Sequence, residues 1–291
     1  MRLELVPAKS EHVPHIARIA FEAFKQVAEA HGFLADFPSL EVARDVLGML
    51  TARADFYGVV ALYNGVPVGS NFLTLPGPVA GIGPLTVDCA RQSEGIGRAL
   101  MENVLAYARD HAISQVRLTQ DSYNLTSFAL YSSLGFEFKE AIAWMRCPSS
   151  SALQGNALPT GARCATQADV PAMEALSARN HKQGRGQEIA ANMRYGFPAF
   201  VRERDGNLVG YLLPGEFGHG AARGVEDALA VIQEAGLRLP PKQASFLCPL
   251  SQSDLVRASL QAGCRVLRIL TYMASGPYAM PDPVWMPSVL Y

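Results

Sequence analysis

No C-x-x-C pair occurs in the chain, and its five cysteines, Cys89, Cys147, Cys164, Cys248 and Cys264, are scattered and odd in number. That pattern gives no disulfide framework and fits reduced thiols in a cytosolic protein. Long apolar runs are missing as well. None approaches the ~18 residues needed to span a bilayer, and the opening M-R-L-E-L-V-P lacks the apolar core of a signal peptide. Charge is sparse and balanced: charged residues make up 18% of the chain, and the formal net charge is −1. With no basic run, nothing supports a nucleic-acid or anionic-membrane partner. The expectation is a cytoplasmic protein with neither kind of partner. What is present is a hydrophobic content of 49% over 291 residues, enough for ample core and, by length, for two domains.

The chain is organised around Gly83 to Leu100, G-P-L-T-V-D-C-A-R-Q-S-E-G-I-G-R-A-L. A short β-rich run, Pro84 to Val87, is followed by a polar turn from Asp88 to Glu94. Gly95 and Gly97 then open a segment of helical period, with Leu100, Val104, Leu105 and Ala108 on one face. Strand, glycine turn and helix start can hold a phosphate. The first helical amides lack intrahelical partners and lie at the positive end of the dipole, and glycine lets the backbone approach an anion. Taken alone, the same glycines also fit a tight strand–helix connection.

Around that stretch, Ser10 and Pro14 open a first helix whose stripe is Ile16, Ile19, Ala20 and Phe24. The loop His31 to Ser39 carries three large apolar residues, so it either plugs the core or lines a cleft. Ser39 caps a second helix, and Asn64-Gly65 turns a hairpin between Tyr57–Tyr63 and Val66–Leu75. Val116 to Thr119 reads as a buried strand. In the following helix, Asn124 is a cap, Leu130 and Leu134 share a face, and Gly135 is the terminator. Tyr131 is offset from that face, so its hydroxyl is free to point toward the preceding strand. Glu137 to Met145 closes this half, and Pro148 to Gly161 is linker-like.

Two motifs give the segment a family likeness. Gln92-Ser93-Glu94-Gly95-Ile96-Gly97 fits Q/R-x-x-G-x-G/A, and Asn124 to Phe136 fits N-x-x-A-x-x-L-Y-x-x-x-G-F with Ser127 at the alanine. Both resemble the acetyl-CoA-binding pattern of the GNAT superfamily of N-acetyltransferases. Cys89 stands where that pattern often has proline, and Ser93 where it often has glycine. The resemblance implies an α+β fold with a mixed sheet, and coenzyme A bound between the splayed strands Leu85–Val87 and Val116–Thr119. The cofactor-binding set would be Leu85, Thr86, Val87, Gln92, Ser93, Glu94, Gly95, Ile96, Gly97, Arg98 and Ala99, with Asn124 and Tyr131. An amide near Val87 would stabilise the oxyanion, and Tyr131 would protonate or hydrogen-bond the departing thiolate. Arg91 and Arg98 either pair with phosphates or face solvent.

The implied activity is direct acetyl transfer from acetyl-CoA to a primary amine of a small molecule or peptide, with no metal. The acceptor would meet His31, Phe33, Asp36, Phe37 and Asp121. Asp88, Asp121, His31 and Asp36 are candidate bases, each carboxylate equally a turn cap. A CoA-binding sensor or scaffold without turnover is the competing reading. A dinucleotide-binding Rossmann domain is the weakest, since Gly95-Ile96-Gly97 lacks a third glycine in register.

The chain then starts again. Val170-Pro171 repeats Val13-Pro14, Asp205-Gly206 with Val209-Gly210 repeats Asn64-Gly65 with Val68-Gly69, and Ala262-Gly263 repeats Leu134-Gly135. The expected organisation is a catalytic domain over 1–147, a linker over 148–161, and a degenerate GNAT-like domain over 162–291, as monomer or homodimer. Each domain would have a mostly antiparallel sheet with a splayed parallel pair, flanked by helices. The second copy has Ser259 for Tyr131 and Gln252 for Asn124. Its Gly215-Glu-Phe-Gly218-His-Gly220 run has glycines but no helix start at the right spacing, and His219 reads as structural. The proline-rich tail from Pro277, with Tyr278, Met280, Trp285 and Met286, needs cover on the first domain or on a neighbouring subunit.

Overall fold

Hydrophobic periodicity and matched punctuation set up two similar halves. The computed structural model describes residues 3–75, 77–148 and 160–291. The linker expected over 148–161 lies almost wholly outside them. The first half runs β1 (Leu3–Pro7), α1 (Val13–Ala30), α2 (Leu40–Ala52), β2 (Phe56–Tyr63), β3 (Val66–Thr74), β4 (Val79–Gly81), β5 (Thr86–Val87), α3 (Ile96–Asp110), β6 (Gln115–Asp121), α4 (Leu125–Ser133) and β7 (Glu137–Arg146). The second runs β8 (Ala162–Cys164), α5 (Val170–His181), α6 (Gly186–Arg194), β9 (Phe200–Arg204), β10 (Asn207–Leu212), β11 (Gly220–Ala222), α7 (Val225–Arg238), β12 (Ser245–Pro249), α8 (Ser253–Gln261), β13 (Arg265–Ser275) and β14 (Trp285–Met286).

The repeated residues do the same structural work in both halves. Pro14 and Pro171 sit in the first turn of α1 and α5, where a missing amide costs nothing. Asn64-Gly65 and Asp205-Gly206 both adopt left-handed backbone (φ 50 and 80, 53 and 73), as a two-residue hairpin turn requires. Gly69 and Gly210 each lie under a neighbouring backbone carbonyl. A Cβ would come within 2.6 Å of the Thr86 oxygen in one case and 3.0 Å of the Asp227 oxygen in the other.

Three sheets form: β1-β2-β3-β5, then β14-β11-β10-β9-β8, then a shared β12-β7-β13-β6-β4. Among the described strands every pairing is antiparallel except β4 with β6. The shared sheet departs from two self-contained halves. β7 does not close on β6. It lies between β12 and β13 of the second half, while β13 lies between β6 and β7 (Leu270 opposite both Asp121 and Ile142). The halves have exchanged their last long strands, so each covers what would be the other's open edge. The cores follow suit. Met273 of β13 joins the cluster under α3, and Ala143 and Met145 of β7 join the cluster under α7.

All five cysteines are free thiols. Among the described residues no helix is long and apolar enough to cross a membrane, and no group of His, Cys, Asp or Glu has the disposition to hold a metal ion.

Candidate active site

The gap begins where β4 and β6 separate. They pair through Val79–Gly81 and Gln115–Arg117, after which the chain turns away and β5 joins β3 instead. The Asp88 amide donates to the Val68 carbonyl (2.9 Å), so the Val68–Asp88 pair is hydrogen-bonded. Antiparallel pairs alternate, so the N–H and C=O of Val87 turn away from β3 toward the gap. The gap opens into a cavity of about 600 Å³ lined by both strands, α4 and the start of α3.

At one end lies the glycine turn. Ser93 and Gly95 are left-handed (φ 67 and 82), and the first intrahelical bond of α3 runs from the Ala99 amide to the Gly95 carbonyl at 3.0 Å. The amides of Ile96, Gly97 and Arg98 therefore have no intrahelical acceptor and lie at the positive end of the helix. Gln92, Ser93, Gly95, Ile96, Gly97 and Arg98 border the cavity. Glu94 and Ala99, expected in the same set, do not; the Glu94 carboxylate instead pairs with Arg91 at 3.2 Å. Arg98 donates to Ser133 Oγ (2.7 Å), and Arg91 rests on the Tyr63 ring (3.8 Å).

Along the wall, Asn124 caps α4, its Oδ1 accepting from the Ser127 amide at 3.1 Å. Tyr131 follows on the same helix, 8% exposed and facing the cavity. Burial pushes its phenol up to about 12. It is held neutral, as a hydrogen-bond donor, at any ordinary pH.

The opposite end is built by both halves. Arg268, on the exchanged β13, reaches Asp36 at 2.5 Å and Asp121 at 3.1 Å, with its guanidinium 4.9 Å over the Trp144 ring. Phe37 packs edge-on against Phe24. Glu216 and Phe217 enter from the turn between β10 and β11, and Val289 and Leu290 from the tail. Burial, ahead of the opposing pull of Arg268, raises Asp36 to about 6. Burial first and the Asp36 charge second raise Glu216 to about 7. Both Gln120 side-chain polar atoms and Trp144 Nε1 border this space without hydrogen-bond partners among the described residues.

Of the expected acceptor residues, Asp36, Phe37 and Asp121 line the cavity and His31 and Phe33 do not. The His31 and Phe33 rings stack on Tyr123 instead (4.8 and 4.7 Å), because aromatic faces find each other at the loop's outer side. Asp88, a candidate base, is a turn cap whose Oδ1 accepts from the Ala90 amide. Glu216, Phe217, Arg268 and Trp144 were not found from sequence. In the Gly215–Gly220 run, Gly215 answers to its left-handed backbone (φ 98), and Gly218 and Gly220 answer to packing. A Cβ at Gly218 would lie 1.9 Å from the Leu213 oxygen, and one at Gly220 2.6 Å from the Tyr211 oxygen.

The second half's matching gap is filled. β14 pairs with β11 (Gly220 opposite Met286, Ala221 opposite Trp285) where the first half is open. Gln252, the counterpart of Asn124, grips this strand: its Nε2 donates to the Trp285 carbonyl at 2.7 Å, and its Oε1 accepts from the Trp285 amide at 3.2 Å. Ser259 stands buried at the Tyr131 position. The tail finds cover on both halves: Pro277 and Tyr278 lie against Gln115, Arg117 and Lys139, Trp285 against Gln252 and Tyr272, and Val289 against Thr119. Met280 stays 66% exposed. His219 is buried and hydrogen-bonded to the Tyr211 hydroxyl (2.9 Å).

Residues 16–136 match the model of the acetyltransferase (GNAT) family. A 53-residue segment is 42% identical to human N-acetyltransferase 8B, covering 18% of this chain and 23% of that protein, so the match spans less than a quarter of the relative. In fold, a Pyrococcus horikoshii protein described as a candidate acetyltransferase superposes with a TM-score of 0.79 at 16% identity, over 99% of this chain and 94% of that one. A tandem GNAT protein from the clavulanic acid biosynthesis pathway superposes with a TM-score of 0.60 at 18% identity, over 96% and 100%. Residues 16–136 thus match the GNAT acetyltransferase family, within a chain whose whole length takes the fold of a tandem GNAT protein.

Proposed function

We propose that the first half transfers an acetyl group from acetyl-CoA to the primary amine of a small molecule or peptide. The observation that carries this is the open gap beside β5, with unpartnered amides of α3 at one end and a neutral, buried Tyr131 in its wall. Those residues fit the group. The amides from Gln92 to Arg98 suit a pyrophosphate, and the Leu85 and Val87 main chain suits an amide-bearing arm added as a strand. The thioester supplies the activated acyl carbon.

The chain's own groups supply the rest. The Val87 amide faces the gap and stabilises the oxyanion formed on amine attack. Tyr131 donates a hydrogen bond to the departing sulfur. With its phenol near 12, full proton transfer to a thiolate of pKa ~8.5 is uphill, so the sulfur's proton comes from the amine once nitrogen has become the stronger acid. Phe24, Phe37, Trp144 and Phe217 wall an acceptor end that holds three carboxylates and one guanidinium. That suits a cationic amine on an apolar body. The test is thiol release from acetyl-CoA across a panel of primary amines, with CoA binding measured separately by calorimetry. Amine-dependent release supports transfer. Tight CoA binding without it supports the sensor reading, and no CoA binding overturns both.

A further inference from the structure

We propose that Glu216, carried by the second half, accepts the proton that the acceptor's ammonium must lose before it attacks. This rests on reading the cavity as an acetyl-transfer site and goes beyond it by naming the base and the half that supplies it. A Lys-like amine is protonated up to pH ~10.4, so neutral-pH transfer needs a group to take that proton.

Three carboxylates border the acceptor end, and they are not equivalent. Asp36 and Asp121 are both committed to Arg268, at 2.5 and 3.1 Å. Protonating either would give up an ion pair already made, which protonating Glu216 does not require. The Glu216 side chain has no hydrogen-bond or ion-pair partner among the described residues, yet its main chain is fixed. The Gly215 amide donates to the Ser245 carbonyl (2.8 Å), and the Glu216 carbonyl accepts from the Val289 amide (2.8 Å). Val289 in turn accepts from the Thr119 amide at 3.2 Å and the Thr119 hydroxyl at 2.5 Å. Glu216 is thereby suspended over the middle of β6, across the gap from β5.

The charged and titratable groups that share this end of the cavity are Asp36 from the loop before α2, Asp121 at the end of β6 and Arg268 from β13, which also contacts the Tyr123 hydroxyl, with Tyr131 of α4 elsewhere in the cavity wall. Tyr123 is pushed well above its ordinary value, first by burial and then by the Asp121 charge, so it stays neutral. Burial first and the Asp36 charge second raise Glu216 while Arg268 lowers it, leaving a carboxyl near 7. That is the range in which a base is both available and able to accept a proton.

The step balances. One ammonium proton moves to the Glu216 carboxylate and the amine nitrogen forms the bond to the acyl carbon. The carbon–sulfur bond breaks, and the second nitrogen proton goes to sulfur under the Tyr131 hydrogen bond. Glu216 returns its proton to water.

The test uses the full chain, acetyl-CoA and an amine panel that includes phenethylamine, with kcat/KM measured from pH 5.5 to 9.5. Wild type should show an inflection near pH 7. Glu216→Gln should keep CoA affinity within twofold by calorimetry and lose about 10²-fold in kcat/KM at neutral pH. It should also lose the inflection, rising instead toward the pKa of the amine. Glu216→Ala should behave alike and regain activity with added formate, which a purely structural role would not allow. Variants within threefold of wild type, or with the inflection intact, overturn the role of Glu216 and leave the transferase reading standing. No amine-dependent release from wild type overturns both.

Discussion

The two halves place the same gap in the same topological position, and one is open while the other is shut. In the first, β5 and β6 diverge, the tail touches β6 at Thr119 through Val289, and among the described residues no strand pairs with the outer edge of β5. In the second, β14 fills the space beside β11 and Gln252 holds both the main-chain N–H and the C=O of Trp285. A cleft that offers main-chain groups to an added strand will take one from any source. Here one half keeps that offer for a ligand and the other spends it on its own tail. The substitutions agree. The open gap has Tyr131 and a helix with free amides, whereas the filled one has Ser259 and glycines required by close packing.

The largest expected break in this comparison is Trp285→Ala. It empties the centre of the second gap, where Trp285 is 3% exposed and packs on His181 and Tyr272. Stability should fall by about 3–5 kcal/mol in denaturant unfolding. The wild-type chain should bind one CoA per molecule by calorimetry, and a stoichiometry of two would erase the distinction between the gaps.

Next is Tyr131→Phe, which should reduce kcat by about 10²-fold, or about 2.7 kcal/mol, with CoA affinity nearly unchanged. Ser259→Ala at the matching position should leave turnover alone. Equal effects from the two would show that Tyr131 acts only through packing.

The smallest effect concerns stability and pH. Glu216 is raised from 4.5 to about 7, chiefly by burial. The folded state holds that proton more tightly than the unfolded one, so the part of the stability that depends on Glu216 is fully present below pH 4.5 and is lost as pH rises through 7. Glu216→Gln should remove that decline, gaining about 1–3 kcal/mol above pH 7 and nothing below pH 4.5. A gain of the same size at pH 4 would show an uncharged packing effect instead.

What could be read from sequence was what is local. The glycine turn, the Asn124 cap, the Gly135 terminator and the repeated Val-Pro, Asx-Gly and Val-Gly pairs depend on a few neighbouring residues, and each is where its pattern put it. What could not be read depends on pairing between distant segments. Nothing in Glu137–Met145 announces that its neighbours are β12 and β13 rather than β6. Without that exchange, Arg268 could not be brought to Asp36 and Asp121, nor Glu216 to the acceptor end. His31 and Phe33 lie outside the cavity for a related reason. Their loop was known to be apolar, but its inner side was set by Arg268, which draws Asp36 inward and leaves the rings to Tyr123.

Arg268 also has a bearing on how such a molecule changes over generations. Under the proposed function, the groups facing the amine come partly from the half that does not face the acetyl donor, so substitutions there would alter amine choice while leaving the donor's grip intact. The two halves would then divide two jobs that a lone domain performs with one set of residues.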